Sequence, residues 1–232
     1  MNALIIELLT EELPPKALKN LSRHFAATIC QGLLDARLID NAENHTAFAT
    51  PRRLAVWVPN VADIQPDMLV IKKGPSLANG LQDGAPTKAL QGFMRSCGVE
   101  DISALKVIND GKQDVYAFEF TQHGKSLAEL LGEILQTAIK KLPIPKVMRW
   151  GSSTHSFVRP VHKLLVLHGN QIVPVSVLGL NSSNTTIGHR FLSSGEIVIN
   201  HADDYEKNLL DQGKVIASFE NRQNHIQAAL NQ

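Results

Sequence analysis

Ala3-Leu4-Ile5-Ile6-Glu7-Leu8 is an almost unbroken apolar run near the start of the sequence. Such a run is typical of a β-strand that is buried on both faces, because a strand with one solvated face alternates apolar and polar residues. Leu164–Leu167 has the same character, which predicts a second strand in the middle of a sheet.

Helices and further strands are predicted around these two segments. An apolar residue at every third or fourth position predicts a helix that Pro14 and Pro15 open and that ends near Leu38. Ser126 and Glu129 have the spacing of a capping box, which predicts the start of another helix. Because βα units and hairpins are mixed along the chain, the predicted fold class is α+β, a mixed β-sheet with packed helices. The other predicted strands are Arg53–Pro59, Leu105–Ile108, Val115–Phe120, Ile172–Leu178 and Glu196–Ile199.

The turn signals divide the chain. Gly74–Pro86 holds four Gly- or Pro-containing turn signals within thirteen residues. We therefore predict that residues 70–123 form an inserted small α/β subdomain, within a discontinuous α+β domain of residues 1–69 and 124–216. Residues 217–232 are predicted to begin a helix that leads into a missing next domain, because no stop signal ends that helix.

Composition excludes several classes of protein. The chain has 232 residues and a formal net charge of +1, so nucleic-acid binding would depend on local basic patches. The histidines lack the spacing of a metal site, and no nucleophile motif or phosphate-binding loop is present. Neither a signal peptide nor a membrane span is predicted, and the expected location is the cytoplasm.

Basic residues beside Pro, Gly or Trp are the main candidates for a binding site. Cations next to a flat aromatic ring suit phosphate binding and base stacking, which makes RNA the first partner to consider. The alternative is that the arginines form structural ion pairs with Glu7, Glu11 or Glu12. Arg159 and His162 are expected on opposite faces of an extended segment unless Pro160 or a bulge turns the chain. The candidates for RNA or ligand contact are Arg52, Arg53, Arg149, Trp150, Arg159, His162 and Arg190.

Seven segments in one order resemble the β subunit of bacterial heterotetrameric glycyl-tRNA synthetase. Leu9 and Lys163 depart from that family's usual Gly and Trp. Family members are much longer, so the resemblance implies an N-terminal fragment. The segments are ELLTEELPPKAL (7–18), ATPRRLAV (49–56), KGP (73–75), GAPTKALQGF (84–93), KVMRWG (146–151), FVRPVH (157–162) and GHRFL (188–192).

The resemblance implies a role in translation. In that family two α and two β subunits form a glycine–tRNA ligase, and the α subunit makes glycyl-adenylate from glycine and ATP with Mg²⁺. The β subunit binds tRNA(Gly). For this chain the resemblance implies tRNA binding and α/β assembly. Because the sequence has no adenylate-forming signature, nucleophile motif or metal set, we expect no bound cofactor or metal ion, no catalytic residue and no activity of the fragment alone. It also implies a fold similar to the B3/B4 region of the phenylalanyl-tRNA synthetase β subunit.

Two other functions are compatible with the sequence. One is an editing-type hydrolase domain acting on mischarged tRNA, in which His162 or the Glu11-Glu12 pair would activate water. The other is a purely structural domain that docks on the rest of the β subunit or on the α subunit and touches no RNA.

Overall fold

The computed structural model describes residues 1–82, 84–144, 146–151 and 154–231. The chain divides into two compact units. The first unit combines Met1–Gln65 with the chain from Lys125 onward, and the second is Pro66–Gly124. No helix among the described residues is both long and apolar enough to cross a membrane.

Within the described residues, the helices are α1 (Leu18–Asp35), α2 (Leu77–Gly80), α3 (Lys88–Cys97), α4 (Leu127–Lys140), α5 (Tyr205–Asp211) and α6 (Phe219–Leu230). The strands are β1 (Asn2–Thr10), β2 (Thr46–Thr50), β3 (Arg53–Val61), β4 (Met68–Ser76), β5 (Leu81–Gln82), β6 (Ala85–Pro86), β7 (Lys106–Asn109), β8 (Asp114–Gln122), β9 (Met148–Arg149), β10 (Ser156–Phe157), β11 (Val161–His168), β12 (Gln171–Ile172), β13 (Ser176–Val177), β14 (Leu180–Ser183), β15 (Thr185–Ile187) and β16 (Glu196–Val198).

The main sheet of the first unit is built around β1. Its strand order is β13-β14-β11-β1-β3-β2, and β12 also pairs with β11. β1 is antiparallel to both β3 and β11, whereas β11 and β14 are parallel. The sheet is therefore mixed, and the predicted α+β class with a mixed sheet and several helices is confirmed.

Both faces of this sheet are buried, as the apolar run in β1 predicted. Leu4, Ile6 and Leu8 join one core with residues of α1 and α4. Ile5 belongs to a separate core that also contains Tyr205. The same division holds in β3, where alternation predicted it. Leu54, Val56 and Val58 enter the first core, and Ala55 and Trp57 contribute to the second.

Local sequence signals predicted the start of one helix correctly and the start of another wrongly. Ser126 and Glu129 form the predicted capping box at the start of α4. The prediction for α1 was wrong at its start, because the carbonyls of Pro14 and Pro15 accept turn hydrogen bonds from Ala17 and Leu18, and the helix begins only at Leu18.

One predicted strand, Ile172–Leu178, is interrupted. It is present as two short strands, β12 and β13, which have different partners. Pro174 lies between them, and a proline cannot donate a hydrogen bond to a strand ladder. The interruption therefore has a local cause that the sequence already contained.

The second unit has its own sheet and core. β4, β8 and β7 form a three-stranded sheet, and Leu90, Met94 and Tyr116 form a small buried cluster. Thr87 caps the start of helix α3, and its side chain accepts a hydrogen bond from the Leu90 amide. The unit extends four residues before and one residue beyond the range 70–123 that the turn signals marked.

Candidate nucleic-acid interface

The β2–β3 hairpin places two neighbouring arginines at one strand end, where they differ in burial. Thr50 and Arg53 are paired across the hairpin, and Pro51 and Arg52 form its turn. Arg53 is almost fully buried, whereas Arg52 is partly exposed. Strand alternation predicted that the two side chains point in opposite directions; the structure instead places both residues in the walls of the same two cavities.

Arg53 is held by a buried carboxylate. Its Nε lies 3.6 Å from Oε2 of Glu7, and the side chains are 2% and 0% exposed. Glu7 also accepts hydrogen bonds from the hydroxyls of Thr186 and Tyr205. Arg53 Nη2 donates to the carbonyl of Ile187 at 2.5 Å, while Nε and Nη1 are buried and have no hydrogen-bond acceptor among the described residues. Arg53 is therefore an ion-paired core residue with incomplete hydrogen bonding.

Glu11 connects two more of the candidates. Its Oε1 accepts from Nε2 of His162 at 2.8 Å and from Nη2 of Arg52 at 3.2 Å. The hydrogen bond from His162 lowers the pKa of the Glu11 carboxyl against a smaller opposing effect of desolvation, and the positive charge of Arg52 lowers it further. Glu11 is therefore held as a carboxylate between two basic side chains.

A β-bulge brings Arg159 and His162 to the same segment. Leu9 pairs with Lys163 and Thr10 with Val161, so His162 is the extra residue in β11. Arg159 Nε donates to the carbonyl of Glu12 at 2.9 Å, next to the Glu11 carboxylate that His162 contacts. A bulge was one of the two ways in which both residues could face one ligand, and in the structure both residues contact the Glu11-Glu12 segment.

Arg190 lies in a short loop that is fixed by hydrogen bonds. The His189 amide donates to the carbonyl of Gly213 at 2.7 Å, and the amides of Phe191 and Leu192 each donate to Nδ1 of His189 at 3.2 Å. Arg190 itself is exposed and makes no hydrogen bond or ion pair with the described residues. Its guanidinium is exposed at the surface, and its positive charge adds to the lowering of the pKa of Glu11.

These elements enclose a basic cleft. Two adjoining cavities of about 420 and 550 Å³ share Arg52, Arg53, Gly188, His189 and Arg190 in their walls; we call them together the Arg52–Arg190 cleft. Cavities of this size hold small ligands or single chemical groups of larger ones. With guanidinium groups on its wall, the cleft is suited to bind phosphate or carboxylate.

Three further residues of the smaller cavity were not among the candidates. Lys214 and Phe191 are exposed. Arg222 donates to the carbonyls of Ile216 and Ala49, at 2.8 and 2.9 Å, so it is structural; burial lowers its pKa. Phe191 follows His189-Arg190 directly, so the pairing of aromatic and cation used at Arg149-Trp150 would have found it. No local signal marks Lys214.

Arg149 and Trp150 belong to a different part of the first unit. Arg149 is exposed in β9, which pairs with β10, and Trp150 packs partly buried against the first core. Neither residue lines the two cavities of the cleft. Among the described residues, no group of three or more His, Cys, Asp or Glu is placed to hold a metal ion.

Comparison with known proteins gives a consistent result. Residues 4–232 match the family model described as glycyl-tRNA synthetase beta subunit. The chain is 62% identical over 227 residues to the glycine--tRNA ligase beta subunit of Neisseria meningitidis serogroup C, covering 98% of this chain and 33% of that protein. Two further relatives with the same name are 43% identical, from Aromatoleum aromaticum, and 42% identical, from Citrobacter koseri. In both comparisons 97% of this chain is aligned, and the aligned part is 33% of the Aromatoleum protein and 32% of the Citrobacter protein. The chain thus spans about a third of the length of these relatives.

Proposed function

The chain belongs to the glycyl-tRNA synthetase beta subunit family, and from this premise we propose that it is part of a glycine–tRNA ligase in which it binds tRNA(Gly) and supports assembly with an α subunit. The adenylation of glycine with ATP and Mg²⁺ is assigned to the α subunit, in an α2β2 enzyme of the cytoplasm. The proposal includes a fold similar to the B3/B4 region of the phenylalanyl-tRNA synthetase β subunit.

The observation that supports tRNA binding is the Arg52–Arg190 cleft. Arg190 and Lys214 are exposed cations at its wall, and Arg52 is partly exposed beside them. Phosphate groups of an RNA backbone are the anions that this arrangement suits, because each guanidinium can donate two parallel hydrogen bonds to one phosphate. The small net charge of the chain is consistent with a local patch rather than a basic surface throughout.

The proposal is tested with the full-length β subunit assembled with its α subunit. In the double variant Arg190→Ala/Lys214→Ala, tRNA(Gly) affinity at low salt is expected to fall about tenfold or more. The slope of log K against log salt should decrease by about 1–2, since each lost phosphate contact removes slightly less than one unit. Fluorescence anisotropy between low and high salt measures both quantities.

The matched control is Lys140→Ala/Lys141→Ala at the end of α4. It also removes two positive charges, but from exposed positions that do not line the cleft. If both double variants change affinity and slope equally, the effect comes from net charge and the cleft is not the binding site. Arg149→Ala, measured in parallel, tests the separate β9–β10 hairpin.

A second candidate function rests on the Glu11–His162 pair. The 2.8 Å hydrogen bond lies at the larger cavity of the cleft, where a carboxylate and an imidazole could together activate water. An editing-type hydrolase would release the amino acid from mischarged tRNA, and His162→Ala would abolish that release. Deacylation by the assembled enzyme that is no faster than in buffer would exclude this function.

A further inference from the structure

The tip of the loop after β15 exposes two large apolar side chains. Phe191 is 85% exposed and Leu192 is 66% exposed, and they are adjacent. Single exposed apolar residues are common on protein surfaces. The ring of Phe191 leaves water only when it binds another molecule, and an exposed apolar surface marks an interaction site. The position of Phe191 therefore needs an explanation beyond the fold.

The loop that carries Phe191 is held in place by hydrogen bonds and close backbone packing. Besides the two bonds to Nδ1 of His189, the Ser193 amide donates to the His189 carbonyl at 3.1 Å. Gly188 is packed so closely on Gly213 that a Cβ added there would lie 2.4 Å from the Gly213 Cα. Because the backbone on both sides is fixed, binding through Phe191 would cost little conformational entropy.

The chemistry around Phe191 is cationic on one side and apolar on the other. The cavity of about 420 Å³ is lined by Phe191, Val215 and Ile216, and also by Arg52, Arg190 and Lys214. The one acidic residue among its lining residues is Glu12. A ligand that fits must present a flat or apolar surface next to a negative charge.

A nucleotide has these two parts, a base with a π-face and a phosphate. In a duplex the base faces are covered by their neighbours, so only an unpaired nucleotide can place its base on an aromatic side chain. Arg53 also lines this cavity, but its buried charge is paired with Glu7, so the exposed positive charge comes from Arg190 and Lys214.

We propose that Phe191 and the Arg52–Arg190 cleft bind an unpaired nucleotide of RNA, with the base stacked on Phe191 and a phosphate at Arg190 and Lys214. This inference rests on the proposed tRNA-binding function and specifies its ligand. In a tRNA the unpaired nucleotide could come from the 3′ end or from a loop, and the two sources have the same chemistry.

The experiment compares Phe191 variants in the full-length β subunit assembled with its α subunit. Phe191→Ala and Phe191→Leu remove the π-face, whereas Phe191→Trp keeps it. The first two are expected to weaken tRNA(Gly) binding roughly 5- to 100-fold, the range for loss of one stacked base, and Phe191→Trp to bind like the parent enzyme. Leu192→Ala is the matched control, because it truncates the neighbouring exposed apolar side chain without removing a π-face.

The source of the nucleotide is identified with trimmed probes. A tRNA(Gly) transcript lacking its unpaired 3′ nucleotides should bind parent and Phe191→Ala enzymes equally if the 3′ end occupies the cleft. An anticodon stem-loop should retain the Phe191 dependence if a loop does so. Placing 2-aminopurine at the responsible position should give fluorescence quenching that requires Phe191, since a stacked base is quenched.

The outcomes separate this inference from the proposed function. If Arg190→Ala/Lys214→Ala weakens tRNA binding and Phe191→Ala does not, the cleft binds RNA and the stacking inference is overturned. If neither changes binding, both fail. If Phe191→Leu retains full tRNA affinity while Phe191→Ala dissociates the α2β2 assembly in mass photometry, the tip is a protein-docking contact, which also overturns the inference. Unchanged urea unfolding of each variant verifies that the fold is intact.

Discussion

Glu7 is a charged residue at the centre of the sheet, and three groups hold it there. Its carboxylate accepts from the hydroxyls of Thr186 and Tyr205 and lies against the guanidinium of Arg53. A buried ion pair adds little net stability, but removing one partner leaves the other charge uncompensated. Glu7 therefore acts mainly by keeping Arg53, and through it the wall of the cleft, in place.

At the residue scale, we expect Glu7→Gln to destabilise the chain by about 3–5 kcal/mol, because Arg53 would remain buried without a countercharge. Urea unfolding followed by circular dichroism measures this loss. Glu133→Gln is the control, since Glu133 is exposed in α4 and makes no hydrogen bond or ion pair with the described residues. Equal unfolding midpoints for the two variants would contradict the assignment of Glu7 as the countercharge of Arg53.

The partners of the arginines were only partly predictable. Strand alternation predicted that Arg52 and Arg53 point in opposite directions, and ion pairing with Glu7 or Glu11 was one of two alternatives. The choice between them depends on Thr186 and Tyr205, which approach Glu7 from distant parts of the chain. No pattern within β1 or β3 predicts that Thr186 and Tyr205 contact Glu7. The burial of Arg53 against Glu7 could therefore not be predicted from the sequence.

Elements differ in how much their ends contribute to stability. The capping box at Ser126 starts α4, which buries Leu127, Leu131, Leu135 and Ala138. Ser218 also caps its helix, by accepting from the Asn221 amide, but it forms no capping box, and none of the described residues of α6 is buried. The two serine caps therefore start helices of different importance for packing.

At the element scale, Ser126→Ala is expected to lower the free energy of unfolding by about 0.5–2 kcal/mol, the usual effect of losing a serine cap. Ser218→Ala should change the global value by much less, because fraying of an exposed helix does not open the core. Urea titration gives the global value, and amide hydrogen exchange in α6 shows local fraying. A larger global loss from Ser218→Ala than from Ser126→Ala would overturn this ranking.

Local chemistry explains which elements the sequence could predict. The capping box and the break at Pro174 depend on residues within a few positions of each other, so their effect can be inferred from the sequence alone. The bulge at His162 is different, because it exists only relative to the register of β1. It determines that Arg159 and His162 share the Glu11-Glu12 segment, which sequence spacing alone left open.

For the whole chain, the sequence predicted a mixed sheet but not its strand order. Apolar runs identify β1 and β11 as central strands. Their antiparallel pairing, however, joins segments about 160 positions apart. Closing a loop of that length depends on no local sequence pattern, so the pairing could not be predicted. The exposed tip at Phe191 also depends on tertiary structure, since its loop is held by Gly213.

Alkaline pH is expected to destabilise the folded chain through Tyr205. Burial, and then the negative charge of Glu7, raise the pKa of the Tyr205 hydroxyl well above its usual value of 10.0. A raised folded-state pKa favours the native state below the unfolded pKa, and this advantage is lost as pH rises further. Stability should therefore fall from about pH 10 upward.

Urea midpoints measured between pH 8 and pH 11 test this expectation. In Tyr205→Phe the hydroxyl is absent, so the variant should be less stable at pH 8, by about 1–3 kcal/mol for the lost hydrogen bond to Glu7. Its stability should also decline less steeply above pH 10. Parallel declines in the parent chain and the variant would show that another group causes the alkaline effect.

The central position of β1 also has a consequence for synthesis. β1 leaves the ribosome before its partner β11, which follows about 160 positions later, roughly 10–30 s at elongation rates of about 5–20 residues per second. During that time a strand of mostly leucine and isoleucine has at least one open edge, which makes the nascent segment a target for ribosome-associated chaperones. We expect selective ribosome profiling to show chaperone occupancy that begins after β1 emerges and ends once β11 has left the exit tunnel; occupancy that ends when β3 emerges would contradict this.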